Sequence, residues 1–287
     1  MKFIQTIILT LLTTFTFGQT FGQTLKEEIG SIYNFKPSKL TDKERELKMP
    51  GLDKFWEKVK GDTIQYLPQL RSELKKNGHN PFFYYDGSGL LLSLTSNRTD
   101  KELAIEAIAK CDLDDISQKI YVKTLNGLAN EGFDVTEPAI KILYADNFSF
   151  FIPQHAMTFN QGYCLTYMLL PQPTTNYVDK LTAIFSSLKP ASQKSIITTL
   201  WFAYTCKGDL FLNSIMTDKT LDKEVSEYAK NIMGYTKLGK DQQEYIKIIG
   251  KDQLNNLRID ALKRFSDEAI GELDMTTRVQ RKENSCH

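Results

Sequence analysis

The chain is short of the residues that most often carry chemistry. It has three histidines, at positions 79, 155 and 287, four cysteines and two tryptophans in 287 residues. No HExxH, no Cys-x-x-Cys and no pair of histidines within one helical turn occurs, which argues against a zinc hydrolase. GxSxG is missing and alternating strand patterns are scarce, which argues against an α/β-hydrolase. Charge of one sign is missing too: 36 Lys and Arg face 35 Asp and Glu, for a formal charge of +1. There is thus no global attraction to nucleic acid or to an anionic membrane. Basic patches interleaved with aromatics do not occur, so no nucleic-acid partner is expected. Four cysteines in this length exclude a disulfide-stapled miniprotein, and 41% hydrophobic residues exclude a chain disordered throughout.

What the sequence does have begins at its N-terminus. Met1-Lys2 is followed by an almost wholly apolar or Thr-containing run from Phe3 to Phe17. This is shorter than the ~20 residues a membrane-spanning helix needs and fits the apolar region of a secretory signal peptide. The repeated FGQT offers cleavage after residue 18 or after residue 22. The reading is a signal peptide over 1–22, a periplasmic or secreted mature protein, and no membrane insertion after cleavage. Gln just after the cut resembles the signal peptides of secreted proteins from Bacteroidetes-type bacteria. Asp62-Thr63-Ile64 similarly resembles the O-glycan acceptor motif of periplasmic proteins from such bacteria.

The body reads as helices. Residues 23–80 form a polar lead-in, broken at Pro50-Gly51, with helices predicted over 52–60 and 64–76. From Pro81 the composition changes: 19 of the 32 aromatic residues fall in 81–216, which marks a separate region. Thr99 with Glu102 reads as a capping box, and Leu103, Ala104, Ala107, Ile108 and Cys111 then recur at helical spacing. Further helices are predicted after Thr136, with Ile140, Leu143 and Tyr144 inward, and over 159–170, 177–188, 192–206, 210–216 and 221–233. Residues 148–153 read as a loop. The starts at Thr99, Thr136, Thr175 and Asp209 lie 37, 39 and 34 residues apart, and two helices per such period mark an α-solenoid. These loose two-helix units resemble HEAT or armadillo-type repeats. The expected fold is therefore all-α, an α-solenoid of antiparallel helix pairs in a right-handed superhelical array. The expected domains are a signal peptide (1–22), a lead-in (23–80), a helical repeat domain (81–233), and C-terminal capping helices with a tail (234–287).

Candidate functional residues are few. Asp86, beside Tyr84 and Tyr85, is the most suggestive acid, because aromatics flanking an acid are common in carbohydrate sites. His155 and Cys164 lie in the densest cluster of polar groups within an apolar stretch, and a Cys–His nucleophile pair needs both types. Against catalysis, the segment holds one histidine, lacks an acid to orient it, and places Cys164 on an apolar helical face. Cys111, Cys164 and Cys206 read as buried thiols, the sequence also allows one long-range disulfide without choosing its pair, Cys286 in the polar tail can pair or stay free, and Trp201 reads as core. Tyr84, Tyr85, Phe148, Phe150 and Phe151 are the candidate binding surface. No metal or cofactor is expected. The functional expectation is a secreted repeat scaffold that binds a protein or peptide partner without catalysis. The alternative is a periplasmic hydrolase acting on a glycan or peptide.

Overall fold

The computed structural model describes residues 25–152, 157–235 and 239–283. The signal peptide, His155, Cys286 and His287 lie outside them. The protein is mostly helical with little strand, so the all-α expectation holds. It separates into two compact units between Ile116 and Ser117, within the stretch expected to form one array.

In the N-terminal unit, helix α1 covers 25–32, α2 Asp42–Gly61, α3 Thr63–Lys75, α4 Pro81–Leu94 and α5 Arg98–Ile108. Helix α2 does not break at Pro50. A capping box starts it a full two turns earlier, with Thr41 N–H donating to Glu44 Oε2 at 2.8 Å and Thr41 Oγ1 accepting from the Glu44 N–H. Pro50 lies on the exposed side, while Leu52, Phe55 and Val59 bury the opposite stripe. The Asp62 side chain caps α3, accepting from Gln65 N–H at 3.0 Å. Asn80 caps α4, with Pro81 in the first position, where a missing N–H costs nothing.

Gly87 keeps its place in α4 despite a helix-propensity cost of ~1 kcal/mol. A Cβ there would lie 3.1 Å from Leu74 and 3.3 Å from Phe83, so glycine permits the close approach of α3. The capping box expected at Thr99 does not form. Asn97, at least as good a cap, accepts from Thr99 N–H at 2.8 Å and starts α5 earlier, while Glu102 pairs with Arg98. Arg71 on α3 grips the buried Asp100 on α5 through two bonds of 2.7 and 2.6 Å.

The C-terminal unit contains α6 (Gln118–Asn130), α7 (Thr136–Lys141), α8 (Gln161–Leu169), α9 (Val178–Ile184), α10 (Pro190–Ala203), α11 (Cys206–Thr217), α12 (Lys223–Gly234), α13 (Lys240–Lys263) and α14 (Asp267–Glu283). Helix α6 packs on α8, α8 on α10, and α10 on α12. The helices between them also pack on this row: α7 on α8, α9 on α10, and α11 on both α10 and α12. After α7 a single 3-10 turn, Ile142–Tyr144, leaves Tyr144 62% exposed rather than inward.

The loop expected over 148–153 is partly strand. Strands β1 (Phe150–Ile152) and β2 (Met157–Phe159) pair antiparallel, with Phe150 opposite Phe159. Their rings stack 5.3 Å apart, and both meet Phe265, which follows α13. An aromatic run supplies cross-strand pairs that a helix cannot place side by side. Helices α13 and α14 pack on each other and reach α6 and α10. The Asn126 amide donates to the carbonyls of Tyr167 (2.6 Å) and Leu262 (3.2 Å), tying α6, α8 and α13 together. Helix α13 bends at Gly250, whose φ of 75° belongs to glycine's range.

Candidate functional site

A concave surface lies along α8, α10 and α12. Asn160 caps α8 by accepting from Tyr163 N–H at 3.0 Å. Gly162 lets α10 come close, since a Cβ there would sit 3.2 Å from Thr198 Oγ1. Gln161 is fixed at both ends of its amide: Nε2 donates to the Ile142 carbonyl at 2.7 Å, and Oε1 accepts from Ser195 at 2.9 Å. Thr198 and Tyr228 share a 2.8 Å hydrogen bond between α10 and α12.

Two cavities flank that bond, and both are lined by Thr198 and Tyr228. One, of about 340 Å³, is lined by the hydroxyl and amide side chains of Asn147, Ser149, Asn160, Gln161 and Ser195, with Asp146, Phe148 and Ala191 beside them. Lys194 stands at its side, paired with Glu224 at 2.8 Å. The other, of about 470 Å³, is walled by Tyr163, Trp201, Phe202 and Tyr235, with Asp274 and Arg278 reaching in from α14. Burial raises the Asp274 carboxyl above its ordinary range, and Arg278 Nε, 2.9 Å away, opposes that rise. Burial also raises the Tyr163 phenol, assisted by the Asp274 charge. A third, more apolar cavity of about 210 Å³ lies between α13 and α14, beside Tyr245, Leu254 and Met275.

Asp86 sits in the N-terminal unit in a different setting from the one expected. Its Oδ2 accepts from Tyr33 Oη and Trp56 Nε1, both at 2.8 Å. Burial raises this carboxyl, the two donors pull it back, and Asp53 adds to the rise. The Tyr33 phenol is likewise driven up by burial and by Asp86. Tyr84 does not flank the acid in space. It is 3% exposed, and its hydroxyl donates to the Lys76 carbonyl. Adjacent residues on a helix point about 100° apart, so sequence neighbours do not share a site. The true partners lie 53 and 30 residues away, and nothing in the sequence pattern marks them.

The other sequence candidates scatter. Tyr85 and Phe150 are half-buried, and Phe151 is 56% exposed. Phe148 is 2% exposed, packed edge-on against Tyr121 at 6.0 Å. Tyr84 and Phe148 are therefore packing residues and drop out of the expected surface. Cys164 is free and fully buried, and burial drives its thiol strongly upward, away from thiolate character. Its intended partner, His155, is outside the described residues. Cys111 is also a buried thiol, whereas Cys206 corrects the buried-thiol reading: it is exposed and disulfide-bonded. Trp201 is 1% exposed, and its indole N–H has no partner.

Among the described residues no group of three or more His, Cys, Asp and Glu is placed to hold a metal ion. No described helix is long and apolar enough to cross a membrane. Comparison of the chain with protein-family models, with curated proteins and with solved structures finds no match.

Proposed function

We propose that this protein is an exported helical-repeat scaffold that holds an extended peptide segment of a partner protein without chemically changing it. The observation that carries this reading is the cavity whose wall is formed by Asn160, Gln161, Ser195 and Thr198 along α8 and α10. A peptide main chain brings one N–H donor and one carbonyl acceptor per residue. Amide and hydroxyl side chains, able to donate and accept, match that alternation. Lys194 and Asp146 at the edge are already paired, with Glu224 and Lys189, so charge adds no preference to the bound segment.

The HEAT-like reading draws support from the row α6, α8, α10, α12, in which every second helix packs on the next. Such a row is what stacked two-helix units produce. Export draws support from the apolar N-terminal run and from the disulfide at Cys206, since disulfides persist in oxidising compartments.

The test is selection of short linear peptides on the folded protein from a displayed library, followed by titration of the selected sequences. A consensus sequence is expected, with affinity lowered by Gln161→Ala and Ser195→Ala. Selection of no consensus, or binding indifferent to both substitutions, would overturn the assignment.

A further inference from the structure

The second cavity has a different chemistry from the first, and we propose that it is a subsite for a neutral saccharide. The inference goes beyond the peptide reading and does not depend on it.

The charges in this cavity are balanced. Arg278 and Asp274 are the ionisable pair lining the cavity, and they neutralise each other at 2.9 Å. The Arg278 guanidinium also lies over the Tyr235 ring, 5.1 Å from its centroid. A cationic ligand would have to displace Arg278 from both partners, and an anionic ligand would have to displace Asp274. A neutral ligand displaces neither.

The cavity also carries unused hydrogen-bonding capacity. The Trp201 indole N–H is buried without a partner. Arg278 Nε is close enough to Asp274 for an ion pair but is not aligned to hydrogen-bond it. Both groups are donors that need an acceptor. The Asp274 carboxylate needs donors, and the Asn231 amide both donates and accepts. A hydroxyl can answer each of these groups, and several hydroxyls on one rigid frame can answer them together.

Aromatic side chains make up much of its lining. Tyr235 is 54% exposed, with the Arg278 guanidinium over one side of its ring, Tyr163 and Tyr228 are half-buried, and Trp201 and Phe202 line the wall almost fully buried. Aromatic faces carry negative quadrupole potential, and the C–H face of a sugar ring is positive and apolar. A volume of about 470 Å³ falls in the range of small-molecule sites. A sugar ring combines the apolar face, the hydroxyls and the neutrality that these three observations require.

The experiment is isothermal titration of the whole protein with neutral di- and trisaccharides built from glucose, mannose and N-acetylglucosamine. Saturable one-to-one binding of at least one of them is expected. Tyr235→Ala should weaken it about tenfold, the worth of one stacking contact, while Tyr235→Phe retains it. Asp274→Leu should abolish it, with circular dichroism verifying that the fold persists. Failure of every sugar to bind at millimolar concentration would overturn the assignment, as would binding unaffected by Tyr235→Ala. Displacement of a bound sugar by a selected peptide whose own affinity depends on Tyr235 would overturn it in favour of a peptide side-chain pocket. Gln161→Ala reports on the neighbouring cavity alone, so failure of one assignment is distinguishable from failure of the other.

Discussion

Arg281 donates from Nε to the main-chain carbonyl of Trp201 at 2.8 Å, joining the last turns of α14 to the C-terminal end of α10. Its second nitrogen reaches the Leu200 carbonyl at 3.3 Å, and its third pairs with Asp209 at 2.5 Å. The guanidinium also lies 5.2 Å from the Trp201 ring and 4.9 Å from the Tyr204 ring. A cation is favourable here because the end of a helix presents unsatisfied carbonyls and partial negative charge. Helix α10 ends at this point with Tyr204 in the left-handed region, φ 52°, and the Tyr204 hydroxyl donates to the Gln280 carbonyl.

Removing this cation is expected to be costly. Arg281→Ala leaves Asp209 and two carbonyls without their partner in a site where Arg281 is 5% exposed. The expected loss is about 3–5 kcal/mol, the usual cost of breaking a buried ion pair from one side. Urea unfolding followed by circular dichroism measures it. A loss below about 1 kcal/mol would show that α14 does not depend on this contact.

Asp86 makes the N-terminal unit sensitive to pH in a defined direction. Its folded carboxyl is held above the ordinary value of ~4, chiefly by burial. Over that interval the folded state holds a proton that the unfolded state has released. This contribution is therefore complete below the ordinary carboxylate pKa and is lost as pH rises through the folded one. Asp100 acts oppositely: Arg71 depresses its carboxyl, and its contribution is lost as pH falls through the folded pKa. The stability of Asp86→Asn relative to the parent is thus expected to rise from acid to neutral pH, because Asn still accepts from Tyr33 and Trp56. Unfolding at a series of pH values checks it, and a difference that does not change with pH would contradict the assignment.

The cysteines should divide into two classes under native conditions. Cys111 and Cys164 are 1% and 0% exposed, and the Cys164 thiol is held protonated by burial. Both are expected to resist iodoacetamide at neutral pH and to react only after unfolding. Cys206 is expected in a cross-linked peptide under non-reducing digestion. Fast labelling of Cys164 in the folded protein would instead restore it as a candidate nucleophile.

Much of the helical fold was legible in the sequence because it rests on local rules. Leu103, Ala104, Ala107 and Ile108 of α5, and Cys111 just beyond it, are buried as their helical spacing predicts. The misreadings also have local causes. Thr41 caps α2 early enough to carry the exposed Pro50 inside the helix, and Asn97 outcompetes Thr99 as the cap of α5. The strand pair at 150–159 was missed because three residues are too few to show alternation.

The amino-acid sequence by itself determined the helical class, the burial of Trp201 and Cys164, and the scarcity of histidine that weighs against metal chemistry. These follow from composition and spacing, which act within a few turns of chain. Only the tertiary structure decided which polar groups meet. Asp86 found Tyr33 and Trp56, Thr198 found Tyr228, and Arg281 found Trp201 and Asp209, across separations of 30 to 80 residues. Periodicity gives the face on which a side chain lies. Its partner depends on how distant helices pack, and that is settled by the shapes of many buried side chains together.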